Sequence, residues 1–477
     1  MGAGLLQLVL SSQQDQCITQ NPQISFFKYS YKKHTRFSNE SILLSFNGGN
    51  NILNKTTSSI HTCKIGRYGD LLSNLYFCFK LPAIYSTNEY KFRWVENIGN
   101  VIIKKADITM NSVTIDSLTG EWMTIWNELS LKDDNSTYNK IIGNIPELIN
   151  PSLPQPRISV TNNRFNYIYY PVADITKNDS PSIPEKLIYT PLNFWFTRNP
   201  SLALPLLKLQ SSEIEIVIEL VDTESLYQVY SSILEMYISP SYYSFLHNDN
   251  TMALANFCKS RDGDSVPMSL NIEANYIFLD TAERNAILML SEINYVAEKI
   301  YRDTQNCDQG HVNIILSNNI HTKEIVWAFK RLDYYNFNYH NNYTADYIYN
   351  ENSKILNSAS IIWNESIKRI EEKSGDYYGY VQPYQHHSKI PRAGIYCYSF
   401  ALFPEKIQPS GSYNASVVKT SLDININRNY NNDFLNNKLR LKDKPLLSNI
   451  INYEITIYSV TTSIFHIENG LGYMIYS

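Results

Sequence analysis

The sequence lacks the cysteine pairs that mark zinc knuckles and thiol redox sites. Its 477 residues include six cysteines, and no two of them form a C-x-x-C pair. The six positions are Cys17, Cys63, Cys78, Cys258, Cys307 and Cys397. Because the spacing is so wide, neither a zinc knuckle nor a redox motif is encoded, and we expect a reduced, intracellular setting.

Long apolar runs are also missing. The largely apolar stretch from Leu5 to Leu10 has no basic residue before it and no small-residue cleavage pattern, so we expect no secretory signal. No stretch approaches the roughly eighteen apolar residues of a membrane-spanning helix. Gly2 would suit N-myristoylation, but Leu6 stands where that motif requires Ser or Thr, which argues against lipidation.

No fingerprint of a common catalytic site is present. The sequence contains no G-x-S-x-G, H-E-x-x-H, P-loop or dinucleotide-binding motif. The adjacent acids Asp133 with Asp134, and Glu371 with Glu372, would suit a glycosidase only if two carboxyl groups stood roughly 5–10 Å apart across a sugar. Side-by-side acids in polar segments are more often solvated, so we expect no enzyme.

The sequence offers one candidate group of metal ligands. His386 and His387 are adjacent, and Asp333 or Asp376 would be further ligands. Neighbouring residues on a strand point to opposite faces, so the two imidazoles do not easily bind one ion together. We expect neither a metal nor a cofactor.

The sequence has no excess of basic charge. The formal net charge is −4, whereas general nucleic-acid-binding proteins carry a strong basic balance or patch. The one basic cluster, interleaved with aromatic residues, consists of Lys28, Lys32, Lys33, His34 and Arg36. We interpret this cluster as a strand edge or an interface and expect no direct sequence-specific binding to nucleic acid.

Tyrosine, by contrast, is abundant. There are 37 Tyr residues, and aromatic residues make up 13% of the chain against 18% charged residues. This bias favours β-strands and broad amphipathic contact surfaces. The chain also exceeds the roughly 250–300 residues that one hydrophobic core organises, so we expect two domains of about 200 residues.

Apolar and polar residues alternate in short runs through the first half. Ile214, Ile216, Ile218 and Leu220 alternate with mostly acidic positions, as in one wall of a β-sandwich or barrel. Further strands are predicted at 41–47, 60–65, 75–81, 101–105, 106–110, 112–115 and 270–280, with an aromatic strand at 194–197 before a double-proline turn. Helices are predicted at 120–129 and 281–289, and long excursions at 143–190 and 221–268.

The second half repeats this pattern. Strands are predicted at 312–317, 324–329, 361–366, 379–384, 394–402, 420–426 and 453–460, and two helical turns at 366–374. Short strands separated by polar turns in both halves favour paired sandwiches over a parallel α/β sheet.

Several short motifs follow one another along nearly the whole chain. They are Asn21-Pro22-Gln23-Ile24 with Phe26-Phe27-Lys28; R-x-G-D-L at 67–71; FWFTRNPSLALPLLKLQ at 194–210, which contains Asn199, Pro200, Leu204 and Pro205; ANYIFLDTAER at 274–284, which contains Asp280; His321-Thr322-Lys323 with Trp327 and Phe329; VQPY at 381–384; YSFAL at 398–402; and Gln408-Pro409-Ser410-Gly411 with Asn414 and Ser416. In this order they resemble the major capsid proteins of nucleocytoplasmic large DNA viruses. Residues 333–352, rich in Asn and Tyr, have no counterpart in that family, and the C-terminal HIENGLGYMIYS lacks its usual Met-Gly-Gly-Leu run.

The resemblance implies an all-β fold of two consecutive eight-stranded antiparallel jelly-roll barrels, with long loop insertions and a few short helices. It implies an N-terminal arm at 1–25 leading into a first strand near Phe26, barrels at 26–281 and 292–477, and a linker at 282–291. The family's chains form trimeric, pseudo-hexagonal capsomers that tile an icosahedral shell. The implied partners are therefore the chain itself, neighbouring capsomers, and minor capsid and penton proteins.

The same resemblance places the chain in the virion after assembly in the host cytoplasm. The arm would face the inner viral membrane or minor capsid proteins, so contact with the membrane would be indirect, and the excursions from 143, 220 and 334 onward would form the outer face and contact the host surface. Two alternatives remain open: a divergent minor capsid paralogue, and a carbohydrate-binding β-sandwich that would be a monomer or dimer with an aromatic-lined groove.

Seven N-x-S/T sequons occur, at Asn39, Asn54, Asn135, Asn178, Asn342, Asn364 and Asn414. The better candidates for glycosylation are the loop residues Asn135, Asn178 and Asn342. Asn414 lies in a family turn, and we expect it to make a structural hydrogen bond instead.

Overall fold

The computed structural model describes residues 2–10, 12–29, 31–47, 55–87, 89–131, 136–154, 168–259, 266–428, 433–448 and 451–475. The first-half strands are β1 (Phe37–Ser45), β2 (Ser59–Lys64), β3 (Leu71–Leu81), β4 (Phe92–Trp94), β5 (Ile103–Met110), β6 (Val113–Leu118), β7 (Leu153–Pro154), β8 (Ile168–Tyr169), β9 (Lys186–Pro191), β10 (Leu204–Pro205), β11 (Ile214–Leu220), β12 (Tyr227–Ser231), β13 (Met236–Ile238) and β14 (Leu270–Leu279). The second-half strands are β15 (Glu292–Cys307), β16 (His311–Ile315), β17 (His321–Arg331), β18 (Leu356–Trp363), β19 (Ile367–Ser374), β20 (Ile395–Ser399), β21 (Tyr413–Asn414), β22 (Thr420–Ile426), β23 (Tyr453–Glu468) and β24 (Leu471–Met474).

Helices are short and lie mainly in the connections. The α-helices are α1 (Ala3–Val9), α2 (Gln13–Thr19), α3 (Ile98–Val101), α4 (Gly120–Ser130), α5 (Ser136–Ile141), α6 (Pro146–Ile149), α7 (Pro240–His247), α8 (Thr281–Met289), α9 (Gln382–His386) and α10 (Asp433–Arg440). Single turns of 3-10 helix occur at Trp195–Thr197, Pro200–Leu202, Thr223–Ser225, Leu254–Phe257 and Tyr334–Asn336, and a π-helix at Tyr377–Val381. The predicted helices at 120–129 and 281–289 are confirmed.

Each half consists of two main antiparallel sheets with the same strand order. In the first half the sheets run β1-β14-β3-β10, with β9 also paired to β3, and β2-β11-β5-β6. In the second half they run β15-β23-β17-β20, with β21 also paired to β17, and β16-β22-β18-β19. The first strand of each half thus pairs with one of the last, which is the wrapped order of a jelly roll. The predicted fold class, an all-β double jelly roll, is confirmed.

Connections alternate between the two ends of each barrel, because the paired strands are antiparallel. At one end lie the described parts of the long connections 82–102, 119–185 and 221–269 in the first half and 332–355, 375–394 and 427–452 in the second. At the other end lie short turns such as 65–70 and 111–112, together with the segment before β1. The end of β23 and its hairpin partner β24 are also at this end, since Ser211 N–H donates to the Gly470 carbonyl at 3.0 Å.

The cores follow the predicted alternation in some strands and depart from it in others. In β11 the four apolar residues are buried and the residues between them half-buried, as expected. In β17, however, both faces are buried: Ile325, Trp327 and Phe329 pack in the second-half core, whereas Val326 and Ala328 join the cluster that holds the first-half core. The sheet containing β17 therefore lies between the two halves.

Several local predictions were wrong. The expected first strand near Phe26 is absent: residues 26–28 form an exposed turn and bend, Phe27 is fully exposed, and the first strand, β1, begins at Phe37. The two strands predicted at 101–105 and 106–110 are α3 followed by the single strand β5. An extended strand needs a neighbouring strand to pair with its backbone groups, and none of the described strands pairs with 26–28; the Phe27 N–H donates instead to the Ser25 hydroxyl at 3.3 Å.

The aromatic segment at 194–197 is a 3-10 turn and not a strand. The Trp195 N–H donates to the Asp116 carboxylate at 3.1 Å, and the Thr197 hydroxyl donates to the Leu192 carbonyl at 2.9 Å. These bonds give the Trp195 N–H and the Leu192 carbonyl partners without a neighbouring strand, so the rings of Phe194 and Trp195 can be buried.

Residues 366–374 were predicted as helical turns but form a strand, and residues 379–384 were predicted as a strand but are helical. Residues 367–374 form strand β19, whose Ile370 pairs with Ile361 of β18, so tertiary pairing overrides the local helical tendency. Residues 379–384 belong to the π-helix and α9, where Pro383 is tolerated in the first turn.

Candidate functional site

The two halves meet across a surface rich in aromatic side chains, here called the inter-half interface. Helix α4 and the 3-10 turn at Trp195 pack on the sheet that contains β15, β23 and β17. The ring of Trp122 lies 4.9 Å from that of Tyr458, and the ring of Trp195 lies 5.9 Å from Tyr295 and 5.2 Å from Phe465. This contact fixes the position of one barrel against the other.

A buried carboxylate from the second half is neutralised from both sides of this interface. Glu298 on β15 forms ion pairs with Arg198 of the first half and with Lys323 of β17. Burial acts to raise the pKa of Glu298, but the Arg198 guanidinium and the Lys323 ammonium together hold this pKa below its usual value. The carboxylate therefore stays ionised and pairs with a cation from each half.

A second buried carboxylate belongs to the first half, and both of its counter-charges come from the second half. Glu121 on α4 of the first half lies 2.7 Å from Lys330 and 3.6 Å from Arg302, and accepts a hydrogen bond from the Tyr458 hydroxyl at 2.9 Å. Burial again acts to raise the pKa of Glu121, and the two cations of the second half outweigh it and lower this pKa.

A buried imidazole occupies the edge of the same interface. The side chain of His387 is fully buried, with Nε2 3.0 Å from Glu324 and Nδ1 3.2 Å from Glu405, and its ring meets Trp126 edge-on at 6.2 Å. Burial acts to lower the pKa of His387, but the carboxylates of Glu324 and Glu405 raise it to about 12. His387 is therefore a permanent cation at neutral pH.

Residues 333–352, which have no family counterpart, contact the first half through hydrogen bonds. The Asn338 amide donates to the carbonyls of Glu224 at 2.6 Å and Tyr227 at 2.9 Å. The His340 Nε2 lies 2.8 Å from the Ser225 carbonyl, and burial lowers the pKa of His340 to about 4, so the neutral ring donates this bond. This segment, here called the strap, fastens the second half to the first at the end with the long connections.

The motif residues Asn199, Leu204, Pro205 and Asp280 of the first half lie in a turn, a short strand and a helix cap. Asn199 accepts a hydrogen bond from Ser201 N–H at 2.9 Å, which starts the 3-10 turn that Pro200 opens. Leu204 and Pro205 form β10, where they pair with Leu72 and Leu71. Asp280 accepts from Thr281 N–H at 2.8 Å and caps α8.

The remaining motif residues lie elsewhere on the surface. Gln408 and Pro409 are exposed, and Gly411 has φ +139° with the Phe400 carbonyl 2.8 Å from where a Cβ would stand, so only glycine fits. Asn21 has a positive φ of 55°, and Pro22, Phe26 and Phe27 are exposed on the arm.

The glycosylation candidates differ in their surroundings. Asn178 lies in an exposed turn. The Asn342 amide donates to the carbonyls of Asp346 at 2.8 Å and Tyr347 at 3.1 Å, so a glycan there would take the place of one of the two N–H donors. Asn135 and Asn54 lie outside the described residues. Asn414 makes the structural hydrogen bonds expected of it, accepting from Ser416 N–H at 3.0 Å. Glycosylation at Asn178 stays a prediction.

Among the described residues, neither the histidine pair nor the acid pair Glu371–Glu372 forms a compact site. The side chain of His387 is buried between two carboxylates, whereas His386 is half-buried and hydrogen-bonds to the Leu402 carbonyl at 3.3 Å. Glu371 and Glu372 are consecutive residues of β19, and Asp133 and Asp134 are outside the described residues. Across the described ranges, no three His, Cys, Asp or Glu residues are grouped so as to hold a metal ion, and no helix is long and apolar enough to span a membrane.

Sequence reasoning missed the charged inter-half interface. Its signal was present in β17, where Lys323, Glu324 and Lys330 flank or interrupt the apolar residues around Trp327. Charges in such a strand indicate ion pairs with another element, but their partners, Glu298, His387 and Glu121, are too far along the chain to be matched from the sequence.

Two jelly rolls of equal strand order, joined through a buried aromatic and charged interface, define a double jelly-roll protein. A family model described as "Major capsid protein N-terminus" matches residues 25–280, and a model described as "Large eukaryotic DNA virus major capsid protein" matches residues 281–473. The chain belongs to the major capsid protein family of large eukaryotic DNA viruses.

Individual relatives cover most of the chain. The major capsid protein of Phaeocystis pouchetii virus is 26% identical over all of both chains, and that of Paramecium bursaria Chlorella virus 1 is 27% identical over 87% of this chain and 85% of its own. Among solved structures, the quasi-atomic model of the PBCV-1 virus capsid has a TM-score of 0.67 at 22% identity, covering 95% of this chain and 100% of the matched one. The Faustovirus major capsid protein has a TM-score of 0.67 at 12% identity, covering 96% and 94%. These structural likenesses support the fold.

Proposed function

We propose that three copies of this chain associate into a capsomer of six jelly rolls, and that these capsomers tile an icosahedral shell. The observation that carries the proposal is the equivalence of the two halves, since two barrels of one strand order in each chain give a trimer six similar barrels. The role is structural and without chemistry: buried apolar and aromatic area supplies the free energy of association, and polar rims supply specificity.

The proposed division of labour along the chain follows the two ends of the barrels. Residues 26–281 and 292–477 form the barrels, 282–291 link them, and the arm at 1–25 lies at the base of the capsomer. The arm fits this position because it precedes β1 at the end with the short turns. The long connections at the opposite end form the outer face and make any contact with the host surface.

The proposed partners follow from this orientation. The chain binds copies of itself, then neighbouring capsomers, and minor capsid and penton proteins at the base and at special positions. Contact with an inner viral membrane is indirect, and no direct sequence-specific contact with nucleic acid is proposed. As a member of a capsid protein family the chain is located in the virion, and we place its assembly in the host cytoplasm.

The test is the native mass of the purified protein, measured by light scattering after size exclusion. We expect a mass about three times that of the 55.2 kDa chain. A folded monomer across the micromolar range would contradict the self-sufficient trimer. A minor capsid paralogue that requires partners, or the carbohydrate-binding alternative, would then be favoured.

A further inference from the structure

A cleft of about 520 Å³ opens among the long connections, where the strap meets elements of both halves. It is formed by residues 346–350 of the strap, by the turn between β12 and β13 of the first half, and by α10 of the second half. We call it the strap cleft. Binding sites for small molecules are typically clefts of roughly 300–1,000 Å³. The strap cleft therefore has room for a small ligand.

Part of the lining of the strap cleft is an exposed apolar and aromatic surface. Ile348 is 58% exposed, Tyr349 41% and Phe434 70%. Single exposed apolar side chains are ordinary, but these three come from the strap and from α10 and line one cavity. Apolar groups gathered in this way indicate a surface that binds a ligand.

The aromatic side chains that the strap contributes to the cleft are held in place from behind. The ring of Tyr347 has the Arg331 guanidinium carbon 3.8 Å from its centre and the Phe337 ring at 4.5 Å. The Tyr349 hydroxyl accepts a hydrogen bond from the Ala393 N–H at 3.2 Å. A lining that is already fixed loses little conformational freedom when a ligand binds.

Two pairs of polar side chains line the same cleft. The Asn350 amide donates to the Asp346 carboxylate at 2.5 Å, and the Lys438 ammonium lies 2.5 Å from the Glu235 carboxylate. Each group can form further hydrogen bonds, since a carboxylate has about four acceptor positions and an ammonium donates three bonds. The polar lining can therefore bond to several hydroxyl groups of one ligand.

We propose that the strap cleft binds a neutral sugar unit of a glycan on the host surface. A pyranose ring has apolar C–H faces, which suit the rings of Tyr349 and Phe434. Its hydroxyl groups both donate and accept hydrogen bonds, which suits Asp346 and Asn350. The inference rests on the proposed function, because the outward position of the long connections follows from the proposed capsomer, and it names the ligand that they bind.

The charges of the lining favour a neutral sugar over other ligands. Glu235 and Asp346 are two acids against the single cation Lys438, so an acidic sugar or a phosphate group would meet a net negative charge. An apolar peptide side chain would cover these carboxylates without offering them hydrogen bonds, which is costly. A neutral sugar has neither disadvantage.

The experiment measures the binding of free sugars to the purified full-length chain by saturation-transfer NMR. The probes are the methyl glycosides of glucose, galactose and mannose, with glucuronic acid and sialic acid as acidic comparators. We expect at least one neutral glycoside to bind, and the acidic sugars to bind at least about tenfold more weakly because of the two carboxylates.

Two variants assign the binding to the strap cleft. Phe434→Ser removes an aromatic ring and Asp346→Asn removes a charged acceptor, and each should weaken binding by at least about tenfold. The matched controls are Phe245→Ser in α7, at a residue 57% exposed, and Asp308→Asn, at an exposed residue between β15 and β16. Neither control residue lines the cleft, so both should bind as the wild type does. Circular dichroism checks that all four variants are folded.

Several results would overturn the assignment. They are binding of no neutral glycoside, preference for the acidic sugars, unchanged binding in the two cleft variants, and equal loss in the controls. An apolar peptide that bound at the cleft when no sugar did would also overturn it, since the occupant would then be a protein. Light scattering on the same samples keeps the two proposals separate: a monomer that binds sugar contradicts only the trimer, and a trimer that binds none contradicts only the sugar site.

Discussion

At the scale of single residues, the unusual feature of this protein is the number of ionised side chains buried between its halves. Glu121, Glu298 and His387 each have counter-charges within ion-pair distance. The ion pairs of Glu121 and Glu298 join the two halves, and the ring of His387 contacts Trp126 of the first half. A buried charge is costly unless paired, so these groups act mainly through the penalty for losing a partner. They make one relative position of the barrels far more favourable than any other.

His387→Gln should destabilise the protein by about 3–5 kcal/mol near pH 6, because it leaves the fully buried Glu324 without its counter-charge. The pKa of His387 is raised from 6.5 to about 12, so its contribution is fully present below pH 6.5 and declines as the pH rises towards 12. Urea unfolding at pH 6 and pH 9 should therefore show a smaller loss at the higher pH. The adjacent His386→Gln, which changes a half-buried imidazole hydrogen-bonded to the Leu402 carbonyl, is the control and should cost less, about 1 kcal/mol. Equal losses for the two variants, or a loss that grows with pH, would contradict this account.

At the scale of elements, the strap was predicted from the sequence as an outward loop, but in the structure it binds the second half to the first. A segment rich in Asn and Tyr would ordinarily be an outward excursion, yet its side chains bond to backbone carbonyls of the first half. Asn suits this role because its amide donates two hydrogen bonds and because it tolerates the left-handed backbone of Asn338, φ 52°.

Asn338→Ala should reduce stability by about 2–4 kcal/mol, since it removes the donor to the part-buried Glu224 carbonyl and the buried Tyr227 carbonyl and places alanine in a left-handed conformation. Hydrogen exchange should show faster exchange within the strap, with smaller changes in β17. The exposed Asn352→Ala in the same segment is the matched control. If Asn338→Ala changed neither the unfolding curve nor the hydrogen-exchange protection of the strap, the claim that the strap holds the two halves together would be contradicted.

At the scale of the whole molecule, the two halves share one hydrophobic cluster. Trp122 and Trp195 of the first half belong to the same cluster as Tyr458 and Phe465 of the second. A shared core couples the unfolding of the two barrels, so the chain should behave as one cooperative unit despite its length.

Calorimetry of the isolated chain should therefore show a single unfolding transition, and Trp122→Ala should split it into two. Removing this ring opens a cavity against Tyr458 and should cost about 3–5 kcal/mol at the interface. Trp363→Ala, on β18 away from the interface, should lower the melting temperature while keeping one transition. Two transitions in the wild type would show that the shared cluster does not couple the halves.

Much of the architecture could be predicted from the sequence, because it depends on patterns with short periods. The alternation in β11, the helices at 120–129 and 281–289, and the ordered motifs around Asn199, Asp280 and Gly411 led to two jelly rolls. The failures at 194–197, 366–374 and 379–384 share one cause: each segment takes the conformation that satisfies its backbone in its tertiary surroundings, and local preference does not decide between those conformations.

The sequence by itself determined that this protein is all-β, doubled and related to capsid proteins, since strand periodicity and turn residues are local properties of the chain. Only the tertiary structure decided which charges meet, that residues 333–352 bind to the first half, and that the sheet containing β17 is buried on both faces. These facts depend on pairs such as Arg198 with Glu298, which lie far apart along the chain and become neighbours only when both barrels have formed.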